Sequence, residues 1–232
     1  MSIVIPVLNE AETINTTLIC LPSQPNDLRL EVLVVDGDPH GTTLMAIQSN
    51  KAWPFLLKTE RSDRGRAIQM NQGANMAAGP VLLFLHADTL LPKGALDVVT
   101  STMQNPQIVG GAFDLGIQSS HWGYRIIEAV GRLRSRVTRL PYGDQAIFVR
   151  KDYFHQIGGF SQIPIMEDVD LMQRIKKNGD AIEIISKSVK TSPRRWEKEG
   201  IVYGTLRNWV LLSLYLMGVS PYKLAKYYRT RP

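Results

Sequence analysis

The 232-residue chain contains one cysteine, Cys20. It can form no internal disulfide and offers no multi-cysteine zinc or iron–sulfur framework, which suits a reducing, cytoplasmic setting. The apolar stretch Trp209 to Met217, broken only by Ser213, falls far short of the ~20 residues that cross a bilayer. The opening residues MSIVIPVLNE lack the basic start and apolar run of a secretion signal, so no export by that route is expected. There is no Gly-x-Gly-x-x-Gly and no Gly-x-x-x-x-Gly-Lys-Ser/Thr, so dinucleotide and P-loop sites lack their usual fingerprints. Repeats and low-complexity segments are also missing, which excludes solenoids and collagen-like arrays. With 44% hydrophobic and 21% charged residues, the chain has enough apolar side chain for a packed core and is not a disordered one.

Charge is unevenly placed. The formal net charge is +6, yet residues 186–232 hold ten Lys or Arg against two Glu, a net of +8. The first 185 residues therefore carry 17 basic against 19 acidic side chains, or −2. A basic end on a near-neutral body suits an anionic surface or a phosphate-bearing partner better than a general nucleic-acid coat, and no nucleic acid is expected.

Apolar runs alternate with helix-period segments, the α/β pattern. Ser2 to Val7, Leu30 to Val35, Pro54 to Lys58 and Val81 to Leu85 read as strands, mostly apolar as in a parallel sheet covered on both faces. Between them, Ala11, Ile14, Leu18 and Leu21, then Ala67, Met70, Ala74 and Ala77, and afterwards Leu96, Val99 and Met103 are spaced for single helix faces. Three right-handed βαβ crossovers are expected. The second half continues with a strand from Ile108 to Ile117, a helix with the apolar stripe Ile126, Val130, Leu133 and Val137, a strand from Gln145 to Arg150, a helix near Glu167 to Lys177 and a strand from Ala181 to Ile185. That first helix also carries Arg125, Arg132, Arg134, Arg136 and Arg139 against Glu128, a cationic face open to solvent, lipid headgroups or an acceptor phosphate. Lys223, Lys226, Arg229 and Arg231 alternate with Tyr222, Tyr227 and Tyr228. This mix suits a membrane interface, or a tail on a helix packed against its own domain.

Ligands of open α/β sheets bind beyond the carboxyl ends of the strands. There the first strand ends in Pro6, Asn9 and Glu10, the second in Asp36, Gly37 and Asp38, and the fourth in His86, Ala87 and Asp88. Each acid alone can be a helix cap or a turn. Gathered at one sheet edge, carboxylates repel unless a cation or hydrogen-bond donors stand among them. Arg64-Gly65-Arg66 opens a helix, where free backbone N–H groups and guanidinium donors together read as a diphosphate contact. Glu167, Asp168 and Asp170 put three acids in four residues, more than the start of a helix needs.

Six segments in order, SIVIPVLNE, EVLVVDG, RGRAIQMNQGANMAAG, VLLFLHADTLLP, GDQAIFVRKDYFHQIGGF and MEDVDLMQRI, resemble the family 2 glycosyltransferases of the GT-A fold, in particular short stand-alone bacterial members. The likeness runs over residues 2–200. It implies a nucleotide-sugar-binding half over 1–107, an acceptor and catalytic half over 108–200 and a helical basic-aromatic extension over 201–232, within one GT-A domain. By the same resemblance Pro6, Asn9 and Glu10 line a nucleoside pocket, Asp36 bonds the base or ribose, and Arg64, Gly65 and Arg66 lie near the diphosphate. Asp88 matches the last acid of the Asp-x-Asp motif and holds a divalent metal, Mn2+ or Mg2+. Asp168 is the general base of an inverting transfer, with Glu167 supporting it. His86 stands where the family usually has an acid; imidazole binds metal or donates to phosphate but removes one negative charge, so weaker metal affinity is expected. Ala87 shares that loop. Asp144 has a sugar hydroxyl, an alternative base role or a turn cap open to it. Arg195-Trp196 matches the last pair of a Gln-x-x-Arg-Trp motif that closes over the donor in longer relatives. Arg195 is expected near phosphate and Trp196 on a sugar or in the core.

The reaction implied is transfer from a UDP- or GDP-sugar to an acceptor hydroxyl, in the cytoplasm or at the inner face of the membrane. Two other classes compete with it. A sugar-phosphate nucleotidylyltransferase would need a glycine-rich basic loop after the first strand, which is missing. A non-enzymatic basic module for lipid or RNA leaves the strand-end acids unexplained.

Overall fold

The structure is a computed structural model that describes residues 1–21, 29–48 and 50–228. Seven strands form the main sheet: β1 Ser2–Val7, β2 Glu31–Asp36, β3 Leu56–Arg61, β4 Val81–Phe84, β6 Ile108–Asp114, β7 Phe148–Arg150 and β8 Ala181–Ser188, in the order β3-β2-β1-β4-β7-β6-β8. Strands β1 to β4 are parallel, β7 runs antiparallel to both neighbours, and β8 is parallel to β6. Two short strands, β5 Thr89–Leu90 and β9 Lys190–Thr191, pair with each other outside this sheet. The helices are α1 Ile14–Ile19, α2 Thr42–Ala46, α3 Arg66–Met76, α4 Ala95–Thr102, α5 Trp122–Thr138, α6 Lys151–Gln156, α7 Glu167–Lys177, α8 Arg194–Glu199, α9 Ile201–Leu216 and α10 Pro221–Tyr228. Among the described residues no helix is long and apolar enough to cross a membrane.

The central strands are apolar at nearly every position because both faces are covered. Strand alternation divides them: Ile3, Ile5, Val7, Val32, Val34, Leu83 and Leu85 join a layer with Ile14, Leu18, Leu96 and Val99. Val4, Leu33, Leu82 and Phe84 join the opposite layer with Ala67, Met70, Ala74, Phe154, Val169 and Ile175. The result is a sheet between two helical layers, and the single sheet runs through both of the halves marked off in the sequence.

Edge strand β3 begins two residues later than the apolar run suggests. Its polar residues Lys58 to Arg61 are held by pairing with Leu33 to Asp36 rather than by burial. Strand β6 ends at Asp114 instead of Ile117, which makes an isolated bridge to Thr191. Residues 143–145 form a 3-10 turn, so β7 is shorter than the apolar pattern implies.

Helix α5 is turned in an unusual way. Its apolar stripe does not face the core: Ile126, Leu133 and Val137 are exposed, with Leu133 at 64% and Val137 at 72%, while Glu128 and Ser135 are buried. The inward face is polar because loop backbone needs partners there. Glu128 accepts from the Ile117 amide at 2.6 Å, and Ser135 donates to Gln145 Oε1 at 2.9 Å. Of the basic tail, Lys223 and Lys226 lie on α10, whereas Arg229 and Arg231 lie outside the described residues.

Candidate active site

Strand order reverses between β1 and β4, and there the crossovers diverge and leave a crevice at the carboxyl ends of the strands. A cavity of about 690 Å³ opens at that point. One wall is the chain after β1, Pro6 to Leu8 and Glu10; the next is His86, Ala87 and Asp88 after β4. Arg64 to Arg66 come from the start of α3, Tyr142 to Asp144 from the turn before β7, and Met166 to Asp168 from the start of α7. Ser192 and Arg194 to Trp196 close it from the far side with Asn208 and Tyr228.

Local backbone fixes these groups. Thr17 Oγ1 donates to the Ala87 carbonyl and pins the loop after β4. Gln69 Nε2 donates to the carbonyls of Val7 at 2.6 Å and Val35 at 2.9 Å, tying α3 to the ends of β1 and β2. Asn9 and Met166 adopt left-handed φ values of 58° and 68°, turning the chain just ahead of Glu10 and of Glu167-Asp168; such backbone in non-glycine residues is held by its surroundings, often at functional sites. Asp168 accepts from the Gly143 amide through Oδ2 at 2.6 Å and from the Val169 amide through Oδ1 at 2.8 Å. A methyl group on Gly143 would lie 3.0 Å from His86 Nε2 and 3.4 Å from Asp168 Oδ2. A side chain at position 143 would therefore crowd His86 and touch Asp168.

Charges in the cavity are paired across elements. Arg194 on α8 reaches both Glu10 and Asp88, the latter at 3.1 Å. Asp88 is pushed above the usual carboxylate range by burial, with Arg194 opposing and Glu10 adding to the shift. Arg66 lies 3.3 Å from Glu167, which holds the guanidinium firmly protonated. Burial pushes Glu167 up, against the attraction of Arg66. Asp144 is pushed up to about 6 by burial, Arg134 opposing, with Asp168 and Asp88 raising it further. His86 is pushed down to about 3 by burial and the charge of Arg66, so it is neutral at pH 7, and its Nε2 has no hydrogen-bond partner. Arg195 lies over the Tyr228 ring, 4.0 Å from its centroid, and Trp196 meets Tyr124 edge-on at 6.0 Å.

Of the residues singled out in the sequence, Pro6, Glu10, Arg64, Gly65, Arg66, His86, Ala87, Asp88, Asp144, Glu167, Asp168, Arg195 and Trp196 line this one cavity. Asn9, Asp36 and Gly37 are not on its wall. Asn9 is exposed beside it. Asp36 is fully buried and accepts from the amides of Asp38 at 2.9 Å and Thr43 at 3.1 Å, organising the loop after β2. Gly37 packs against Gln69, whose side chain is the lining group there. Arg194, Gly143 and Gln69 also line the cavity without standing out in the sequence. Arg194 stood beside the motif pair Arg195-Trp196, and adjacency was its only signal.

A divalent ion suits this chemistry. Asp88 offers hard carboxylate oxygens, with Glu10 drawn to the same guanidinium. Among the described residues no group of three His, Cys, Asp or Glu could hold a metal. A divalent ion held by Asp88 and Glu10 alone would have to draw its remaining oxygens from phosphate or water, as Mg2+ sites in phosphate chemistry do.

Known proteins share this architecture. The chain is similar to a mannosyltransferase of Pyrobaculum calidifontis, solved with GDP-Man and Mn2+, at a TM-score of 0.66 and 22% identity, covering 100% of this chain and 65% of that one. It is similar to TarS of S. aureus in complex with UDP at a TM-score of 0.64 and 15% identity, covering 96% and 68%. These likenesses show the α/β GT-A fold. Among curated proteins, the glycosyltransferase YfnE of Bacillus subtilis is 29% identical over 179 residues, 76% of this chain and 45% of that one. AglE of Haloferax volcanii is 28% identical over 169 residues, 69% and 55% of the two chains. The chain thus spans about half the length of the curated relatives it matches. The profile of Glycosyl transferase family 2 fits residues 2–164, from β1 through the candidate donor loops to the segment just before α7, and the chain belongs to that family.

Proposed function

We propose that the protein transfers a sugar from a UDP- or GDP-sugar to an acceptor hydroxyl with inversion, Asp168 being the general base and Asp88 the carboxylate that faces the diphosphate. The observation that carries this reading is the convergence of Asp88, Asp168 and four arginines, Arg64, Arg66, Arg194 and Arg195, from separate elements on one cavity. The mannosyltransferase neighbour was solved with GDP-Man and Mn2+ and TarS with UDP, which supports a nucleoside-diphosphate donor here.

The diphosphate leaves with charge developing on its bridging oxygen, so fixed cations near that oxygen lower the barrier. Arg64 and Arg66 at the start of α3 and Arg195 from α8 supply them. Asp88, with Glu10 beside it, would hold a divalent ion, which when bound supplies Lewis-acid stabilisation of the departing phosphate. His86, uncharged, contributes a buried nitrogen without adding to the positive charge. Across the cavity two backbone amides aim the Asp168 carboxylate, whose remaining lone pairs take the acceptor proton as the hydroxyl attacks. Glu167 bonds electrostatically to Arg66 and so links the base segment to the donor segment.

Asp168→Asn is expected to retain thermal stabilisation by nucleotide with Mn2+ while transfer falls ~100- to 10,000-fold, the usual worth of a general base. Donor hydrolysis over a panel of nucleotide sugars gives an assay that needs no acceptor. Undiminished turnover in Asp168→Asn together with loss in Asp144→Asn would move the base to Asp144. No stabilisation by any nucleotide would overturn the donor site itself.

A further inference from the structure

Two neighbouring helices turn apolar stripes away from the protein. On α5, Trp122, Ile126, Leu133 and Val137 recur at helical spacing and all are exposed, Trp122 at 70%. On α9, Val202, Leu206, Trp209, Val210, Leu216 and Met217 are exposed, while Gly204 and Leu211 are buried and Asn208 lines the cavity. The helices contact each other: a methyl on Gly123 would lie 3.7 Å from Ile201 Cδ1. Trp122 and Val202, the chain neighbours of that pair, are the first residues of the two exposed stripes. Scattered exposed apolar residues are ordinary, but two adjoining helical stripes form a patch that marks an interaction surface.

The polar groups beside this patch identify the partner. On α5 the row Arg125, Arg132 and Arg136 flanks the stripe, each side chain still 41–53% exposed, with Arg125 paired to Glu128. Arg132 and Arg136 share one acid, Asp114, and so keep positive charge in excess. Tyr203 on α9 and Tyr222 and Tyr227 on α10 are exposed as well. Two-fold pairing of this face with a second copy would bring cationic rows near one another, since both sides of such a contact present the same surface. An anionic bilayer accepts all three features at once: apolar side chains at the acyl boundary, Trp and Tyr at headgroup level, and arginines reaching phosphate.

We propose that the outer faces of α5 and α9 lie flat on an anionic lipid bilayer, with α9 forming a partition between the membrane and the candidate donor cavity. The inference does not depend on which sugar, metal or base the cavity uses.

Flotation of the full chain with phosphatidylcholine vesicles, with and without phosphatidylglycerol, tests it. Binding is expected only with phosphatidylglycerol, accompanied by a blue shift of tryptophan emission. Leu133→Glu and Val210→Glu, each on an exposed position, are each expected to weaken binding about tenfold or more, the loss of one inserted aliphatic side chain and the arrival of one repelled charge. Unchanged melting temperature and nucleotide binding show that the variants are folded; Leu133→Ser serves if the glutamate variant is not. Four results would each overturn the proposal: no binding to anionic vesicles; equal binding to neutral ones; wild-type binding by all these variants but loss in Lys223→Gln/Lys226→Gln; or a dimer by light scattering that Leu133→Glu dissociates.

Discussion

Arg194 bridges Glu10 and Asp88, the carboxylates that the proposed reading gives to a divalent ion. On that reading its guanidinium and a divalent ion would compete for the same carboxylates. In Arg194→Ala, Mn2+ alone is therefore expected to raise the melting temperature, whereas the wild type should respond strongly only when nucleotide is added with it. Identical metal titrations of the two proteins would contradict that competition. Glu31 is a structural counterpart. It is buried, which alone would raise its pKa, but Lys58 at 2.8 Å, Ser2 and the amides of Ala78 and Gly79 outweigh that and pull it from 4.5 down to about 2. A depressed carboxylate stabilises the fold above its unfolded pKa and loses that contribution as pH falls through the folded one. Glu31→Gln should thus cost on the order of 2 kcal/mol near neutral pH, and urea midpoints of the two proteins should converge between pH 4.5 and about 2. A gap that persisted at the acid end would mean that shape, not charge, accounts for the loss.

At the scale of elements, legibility followed periodicity. The strands β1 and β2 and helices α3 and α7 were readable because burial on both faces, or on one helical face, leaves an unbroken apolar or 3.6-residue signal. The donor loops and the Glu167-Asp168 pair were readable because chemistry clusters where those elements end. Strands β5 and β9 were not, since two residues carry no period, yet the pair brings Ser192 N to 3.0 Å from the Asp88 carbonyl and sets Arg194 above the acid. For helix α5 the stripe was readable but its direction was not, because hydrophobic spacing says which residues share a face, not which way the face turns. Glycines escape pattern reading as well. A methyl on Gly111 would lie 2.1 Å from the Glu183 carbonyl oxygen, and one on Gly110 2.4 Å from that of Phe148, so β6 approaches its neighbours only as glycine. Gly111→Val is expected to destabilise the fold by roughly 3 kcal/mol, the range of strained, overpacked core substitutions. A chemical-denaturation midpoint within error of wild type would show that the sheet can open there.

Across the whole molecule, charge and topology point in related directions. The basic residues gather after position 186, in the segment that supplies Arg194 and Arg195 to the cavity and Lys223 and Lys226 to α10. The nucleotide-sugar donor proposed above would be drawn from that side by the collective field, and salt would weaken this attraction over a Debye length of about 8 Å at physiological ionic strength. The association rate for nucleotide is accordingly expected to fall with added NaCl by more than the dissociation rate changes, as stopped-flow binding would register.

The two-residue ladder between β5 and β9 has one more implication. Thr89 and Thr191 are joined by hydroxyls 3.1 Å apart, and the chain beyond Thr191 carries every arginine that α8 presents to the cavity. The counter-charge of Asp88 thus hangs on the chain that this short seam, together with the backbone bonds of Thr191 to Gly116 and Gln118, holds in place.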